Sequence, residues 1–132
     1  MDSVQVLLVK DEHLIRFAIA EVLRDEGLEV VEAENGVQAV GLIDGPDGFD
    51  VLFTDVRMPG TLDGLDVAVH CRQQHPVIPL LVVSGGAADL ASRLSRLEPP
   101  ALFIGKPYQP REVVTALNGL TKGRKAPAVP DD

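Results

Sequence analysis

The stretch "FDVLFTD" (residues 49–55) decides how the chain folds. It is apolar, β-branched or aromatic apart from Asp50, runs to Thr54, and then stops at a carboxylate, Asp55. A short apolar run without polar alternation marks a strand buried on both faces of a parallel sheet. Four more runs of this kind surround it: "VQVLLV" (4–9), "LEVVEA" (28–33), "PLLVVS" (79–84) and "ALFIG" (101–105). Only 28–33 mixes in charge, through Glu29 and Glu32, which predicts an edge strand.

Helical patterns fill the intervals. Leu14/Ile15, Ala18/Ile19 and Val22/Leu23 recur every four residues. That spacing predicts a first helix with these pairs inward, Arg16, Glu21, Arg24 and Asp25 on its polar side, and a stop at Gly27. Val37, Val40 and Ile43 mark a second helix; Leu65, Ala68 and Val69 a third. Leu90, Leu94 and Leu97 mark a fourth, ended by Pro99-Pro100. Val113, Val114, Leu117 and Leu120 mark a fifth, with Pro110 in its first turn, where a missing N–H costs nothing. Five alternations of strand and helix predict a three-layer α/β domain with right-handed crossovers, spanning residues 1–122. The stretch "GRKAPAVPDD" (123–132) has no periodicity and is expected to be a disordered tail.

The bulk properties narrow the function. A chain of 132 residues, 45% hydrophobic, is one domain with a real core. Its net charge of −8 argues against nucleic-acid binding through a basic surface. The apolar run at the N-terminus is too short to cross a membrane or serve as a signal peptide, and the single cysteine, Cys71, has no partner for a disulfide. A cytoplasmic location is the expectation.

In an open parallel sheet, ligands bind beyond the C-terminal ends of the strands. The residues there are Lys10-Asp11-Glu12, Asp55, Ser84 with Gly85-Gly86, and Lys106-Pro107. No G-x-G-x-x-G follows the first strand and no G-x-x-x-x-G-K-[ST] loop is present, which leaves nucleotide binding unsupported. Taken singly, Asp11 reads as a helix N-cap, Asp55 as a turn aspartate, Ser84 as a cap and Phe103 as core. His13, His70 and His75 lack ligand spacing, and Asn35-Gly36 and Asp63-Gly64 read as turn and helix-start chemistry.

Taken together, "VKDE" (9–12), "FTDVRMPGTLDGLD" (53–66), "LLVVSGGA" (80–87) and "FIGKPY" (103–108) resemble the receiver domain of two-component response regulators, over residues 4 to about 121. The resemblance implies a flavodoxin-like five-stranded parallel sheet of order 2-1-3-4-5. It implies that Asp55 accepts a phosphoryl group from a phosphohistidine on a histidine kinase or phosphotransfer protein. By the same resemblance Asp11, Asp55 and the backbone carbonyl of Arg57 ligate Mg²⁺, Lys106 balances phosphoryl charge, and Ser84 hydrogen-bonds a phosphoryl oxygen. Phe103 stands where the family keeps a switching aromatic, and the Lys106–Pro107 peptide is expected to be cis. A switch of this kind catalyses only its own phosphotransfer and dephosphorylation. It signals by docking to a protein target, through the fourth helix, fifth strand and fifth helix, with kinase docking along the first helix; self-association is left open.

One position departs from the pattern. Where the family carries two acids, this chain has Lys10-Asp11. Asp11, Asp55, Lys10 and Lys106 sum to zero charge, whereas three acids and one lysine sum to −2 and match a divalent cation. Two unit charges ~4 Å apart interact by roughly 4 kcal/mol at an effective dielectric of ~20, so the exchange weakens Mg²⁺ binding. Lys10 either pairs with Asp55 in the metal's place or swings outward, with Glu12 offering a water-mediated contact. An interaction module that works without phosphorylation is the alternative that Lys10 motivates.

Overall fold

The computed structural model describes residues 3–58, 60–85 and 97–122. Five parallel strands form one sheet: β1 (Gln5–Val9), β2 (Glu29–Ala33), β3 (Val51–Asp55), β4 (Leu80–Ser84) and β5 (Leu102–Gly105), in the order β2-β1-β3-β4-β5. The described helices are α1 (His13–Asp25), α2 (Gly36–Asp44), α3 (Gly64–Gln74) and α4 (Pro110–Thr121). The last of these is the fifth helical run of the sequence. The helix expected around Leu90 and Leu94, Pro59 of the Met58-Pro59-Gly60 turn, and the expected tail at 123–132 lie outside the described residues.

Side chains alternate across each strand, so two cores form. Leu7, Val9, Leu52 and Val82 pack toward α2 and α3, with Ile43, Val67 and Cys71. Val6, Leu8, Phe53, Leu81 and Val83 pack the other way, with Ala20 and Leu23 of α1 and Val113 and Leu117 of α4. The three central strands are buried on both faces, and β2 with its two glutamates is an edge as expected. Asn35 caps α2 by accepting from the Gln38 N–H at 2.7 Å, and Asp63 and Asp66 close a capping box on α3.

The inward face of α1 differs from expectation. Leu14 is 79% exposed and Ile15 44%, whereas Arg16, placed on the polar side from the pattern, is buried. Periodicity alone put the helix half a turn wrong at its start, because Arg16 is drawn inward by polar partners described below. His75 is half-buried: its Nε2 donates to the Ile43 carbonyl at 2.8 Å, and its ring packs edge-on against Phe49.

Cys71, on the inward face of α3, is fully buried, and burial pushes its thiol up to about 12, against the opposing pull of the Arg72 charge. The thiolate therefore forms more readily in the unfolded chain. Cys71 contributes stability that is intact below its ordinary value of 9.0 and is lost as pH rises toward 12. Two outcomes are expected. A thiol reagent at neutral pH reacts with Cys71 only after denaturant is added. The urea-unfolding free energy falls between pH 8 and pH 11, by up to ~1.4 kcal/mol per pH unit from this group, and falls less steeply in Cys71→Ala.

Candidate functional site: two lysines on one carboxylate

Because the strands are parallel and in register, their C-terminal ends share one sheet edge. Asp55 and Ser84 are the last residues of β3 and β4; Lys10 and Lys106 each stand one residue past β1 and β5. The hydrogen-bond ladder continues beyond the strands. Lys10 N–H donates to the Ala33 carbonyl at 3.1 Å, Val56 N–H to Val83 at 3.0 Å, and Lys106 N–H to Ser84 at 2.9 Å. The backbone that aims these side chains is therefore held on both sides.

The side chains converge on Asp55. Lys10 Nζ donates to Asp55 Oδ2 at 2.9 Å, and both side chains are 6% exposed. Lys106 Nζ donates to the same oxygen at 3.0 Å and lies 2.8 Å from Oδ1. The Oδ1 approach has ion-pair distance but not hydrogen-bond alignment, so Oδ1 is a buried oxygen that accepts no hydrogen bond. Burial pulls the Lys106 pKa down, but the hydrogen bond and charge of Asp55 outweigh it and the net shift is upward. Burial also raises Tyr108, helped by the Asp55 charge.

A second ring of contacts holds Lys10. Arg16 Nη1 donates to the Lys10 carbonyl at 2.8 Å, its Nε pairs with Glu32 Oε1 at 3.0 Å, and its Nη2 donates to His13 Nδ1 at 3.0 Å. These partners explain why a guanidinium occupies an inward position of α1. On the far side, the start of α3 abuts Asp55 itself: a Cβ at Gly64 would collide with the Asp55 carbonyl. Gly64, read in the sequence as helix-start chemistry alone, is thus a close-approach residue of the site. Beside the two lysines opens a cavity of about 440 Å³ lined by Lys10, Glu12, Ile15, Lys106, Pro107 and Tyr108.

The sequence-predicted residues fall as follows. Asp55, Lys106 and Lys10 are in direct contact. Ser84 is buried and joined to Lys106 through the backbone. Asp11, next to Lys10, is half-buried; it is not the cap of α1, since Glu12 holds the N-cap position. Arg57 has an exposed side chain two residues past Asp55. Phe103 is half-buried against the core on the α2–α3 side, and Lys106–Pro107 is cis. Of the two positions open to Lys10, the inward one is realised. Arg16 and Gly64 were not singled out as site residues; nothing in the spacing of an arginine or a glycine shows which backbone it will meet.

A five-stranded sheet in this order, with a carboxylate and a lysine at adjoining strand ends, defines a flavodoxin-like α/β domain with its site at the sheet's carboxyl edge. The sequence model of the response regulator receiver domain matches residues 6–118, and the chain belongs to that family, the receiver domains of two-component systems. It is 33% identical over 119 residues to the sensor kinase CckA of Brucella abortus, covering 89% of this chain and 12% of that protein. It is 30% identical to the transcriptional regulatory protein TcrA of Mycobacterium tuberculosis, covering 98% of this chain and 51% of that protein. The chain thus spans about half or less of these curated relatives. The crystal structure of a response regulator receiver protein from Sinorhizobium medicae superposes with a TM-score of 0.84 at 27% identity, over 94% of this chain and 98% of that one. Receiver domains are signalling switches that interact with histidine kinases or phosphotransfer proteins. No described helix is long and apolar enough to cross a membrane.

Receiver domains generally bind Mg²⁺ at the phosphorylation site. The residues here do not fit a resident divalent ion. Among the described residues no group of three His, Cys, Asp or Glu side chains could hold a metal. Asp55 Oδ1, a buried oxygen without a hydrogen bond, is flanked by the Lys106 ammonium, and Oδ2 already accepts from two ammoniums. A divalent cation would have to displace Lys10 first.

The charge arrangement has a signature in stability. Removing the carboxylate leaves the buried Lys10 ammonium without its counter-charge, which costs ~3 kcal/mol for a buried pair. Asp55→Ala is expected to lower the urea-unfolding free energy by about that amount, and adding Lys10→Met to recover most of it. A neutral or stabilising Asp55→Ala would contradict the ion pair.

Proposed function

We propose that this chain is a phospho-accepting receiver that takes a phosphoryl group on Asp55 from a histidine kinase or a histidine phosphotransfer protein and passes the signal by protein–protein docking. The observation that carries the reading is the position of Asp55: a carboxylate at the end of the central strand, within 3.0 Å of the Lys106 ammonium, in a member of this family. Phosphoryl transfer needs a nucleophile and fixed positive charge near the transferring oxygens more than it needs acid–base chemistry. Asp55 supplies the first and Lys106 the second. Ser84, buried at the end of β4, is the hydroxyl that hydrogen-bonds a phosphoryl oxygen, and Phe103 on β5 is the residue whose packing responds. Asp11, Asp55 and the Arg57 carbonyl are the donors through which any Mg²⁺ would be held, and Lys10 lowers its affinity. The partner face is formed by β5 and α4, and the expected location is the cytoplasm.

A second reading is favoured by one observation. The Asp55 charge is already offset by two ammoniums, the charge balance that an occupied site would have. A receiver in that state would dock its partner without modification.

Intact mass separates the two. With acetyl phosphate and saturating Mg²⁺, the chain is expected to gain one phosphoryl group and Asp55→Asn none. An unmodified wild-type chain under those conditions, with native circular dichroism, contradicts phospho-acceptance and leaves the docking module.

A further inference from the structure

We infer that the Lys10 ammonium is the resident cation of this site and does the charge neutralisation that a divalent metal does elsewhere, so that Asp55 takes up a phosphoryl group without any metal. The inference rests on the phospho-acceptor reading and deepens it.

Four observations carry it. Lys10 is 4% exposed, too buried to be a solvated lysine that touches Asp55 in passing. Its ammonium sits 2.9 Å from Oδ2, at the contact distance of a charge-assisted hydrogen bond. Its backbone is clamped by Arg16 from α1 and by the ladder bond to Ala33 from β2, so the ammonium is positioned in advance. And the described residues hold no three-acid cluster that would need a divalent ion to relieve it.

The charge comes into balance on modification. In the resting chain, Lys10 and Lys106 face Asp55, two positive against one negative. In the transfer, the nucleophile is Asp55 Oδ1, the oxygen that donates its lone pair to no hydrogen bond. A donor such as acetyl phosphate approaches from the sheet's carboxyl edge, where both lysines line a cavity beside Asp55. The Oδ1–P bond forms as the P–O bond to the acetyl group breaks, and acetate leaves with the bonding electron pair. No proton is transferred. The three equatorial oxygens carry the charge of the moving phosphoryl group, and the aspartyl phosphate that results is a dianion. Two lysine ammoniums match that dianion, where one lysine and no metal would leave it half compensated.

The test compares chelator with metal. Wild-type chain treated with acetyl phosphate in excess EDTA is expected to gain one phosphoryl group by intact mass, at a rate within about threefold of that in Mg²⁺. Lys10→Met, which keeps the unbranched apolar stem but removes the ammonium, and Lys10→Asp are expected to lose the EDTA reaction by at least tenfold, and Lys10→Asp to recover it when Mg²⁺ is added. A readout independent of phosphorylation is Mg²⁺ binding by calorimetry: wild type is expected to bind at least tenfold more weakly than Lys10→Asp. Modification of the wild type in Mg²⁺ but not in EDTA overturns the inference and leaves the phospho-acceptor reading standing. No modification in either buffer overturns both. Wild type binding Mg²⁺ as tightly as Lys10→Asp also overturns the inference, even if the variants fold poorly enough to lose their kinetics.

Discussion

Two ammonium groups share one buried carboxylate at the carboxyl edge of this sheet, and the surrounding structure is arranged to keep them there. Burying a carboxylate or an ammonium alone costs several kcal/mol, and the attraction between them compensates only when the geometry is good and the remaining hydrogen bonds are made. Here Oδ2 takes two donors, the flanking backbone is tied into the sheet, and Arg16 seizes the carbonyl of Lys10 while Glu32 balances Arg16. The site is a nested set of ion pairs, each paired charge supporting the next.

The scaffold makes this convergence cheap. Parallel strands bring residues 45 and 51 positions apart onto one edge without any special loop. The loop after β3 must then turn sharply to start α3, and the absence of a side chain at Gly64 lets the helix come down onto the Asp55 backbone. The two packing layers fix the sheet from both sides, so the positions of Lys10, Asp55 and Lys106 are set by the core and not by the surface. An exchange of one acid for a lysine in such a frame does not loosen the site. It adds a second ammonium to the carboxylate at its centre.

Much of this was legible in the sequence. The five apolar runs gave the strands because buried parallel strands have no polar alternation to confuse them, and the charged or hydroxylated residue after each run gave the edge. What was not legible had physical causes. The face of α1 was misplaced at its start because Arg16, a charged residue, earns burial through partners at Lys10, Glu32 and His13 that only the fold brings near. The consequence is an exposed Leu14 where the periodicity placed core. Gly64 looked like a helix start, since the backbone it must clear lies in another element. The direction of Lys10 was open, because a long flexible side chain can go to water or inward, and only the distance to Asp55 settles which.

The central claim is that Lys10 and Asp55 are one bonded unit. Its most direct measurement is a ¹⁵N NMR spectrum of the lysine side-chain ammonium groups at neutral pH. The account predicts that the Lys10 ammonium exchanges slowly with water, stands apart from the solvated lysines, and shows a coupling across the hydrogen bond to the Asp55 carboxyl carbon. A Lys10 ammonium that exchanges as fast as the surface lysines, with no coupling to Asp55, would contradict it.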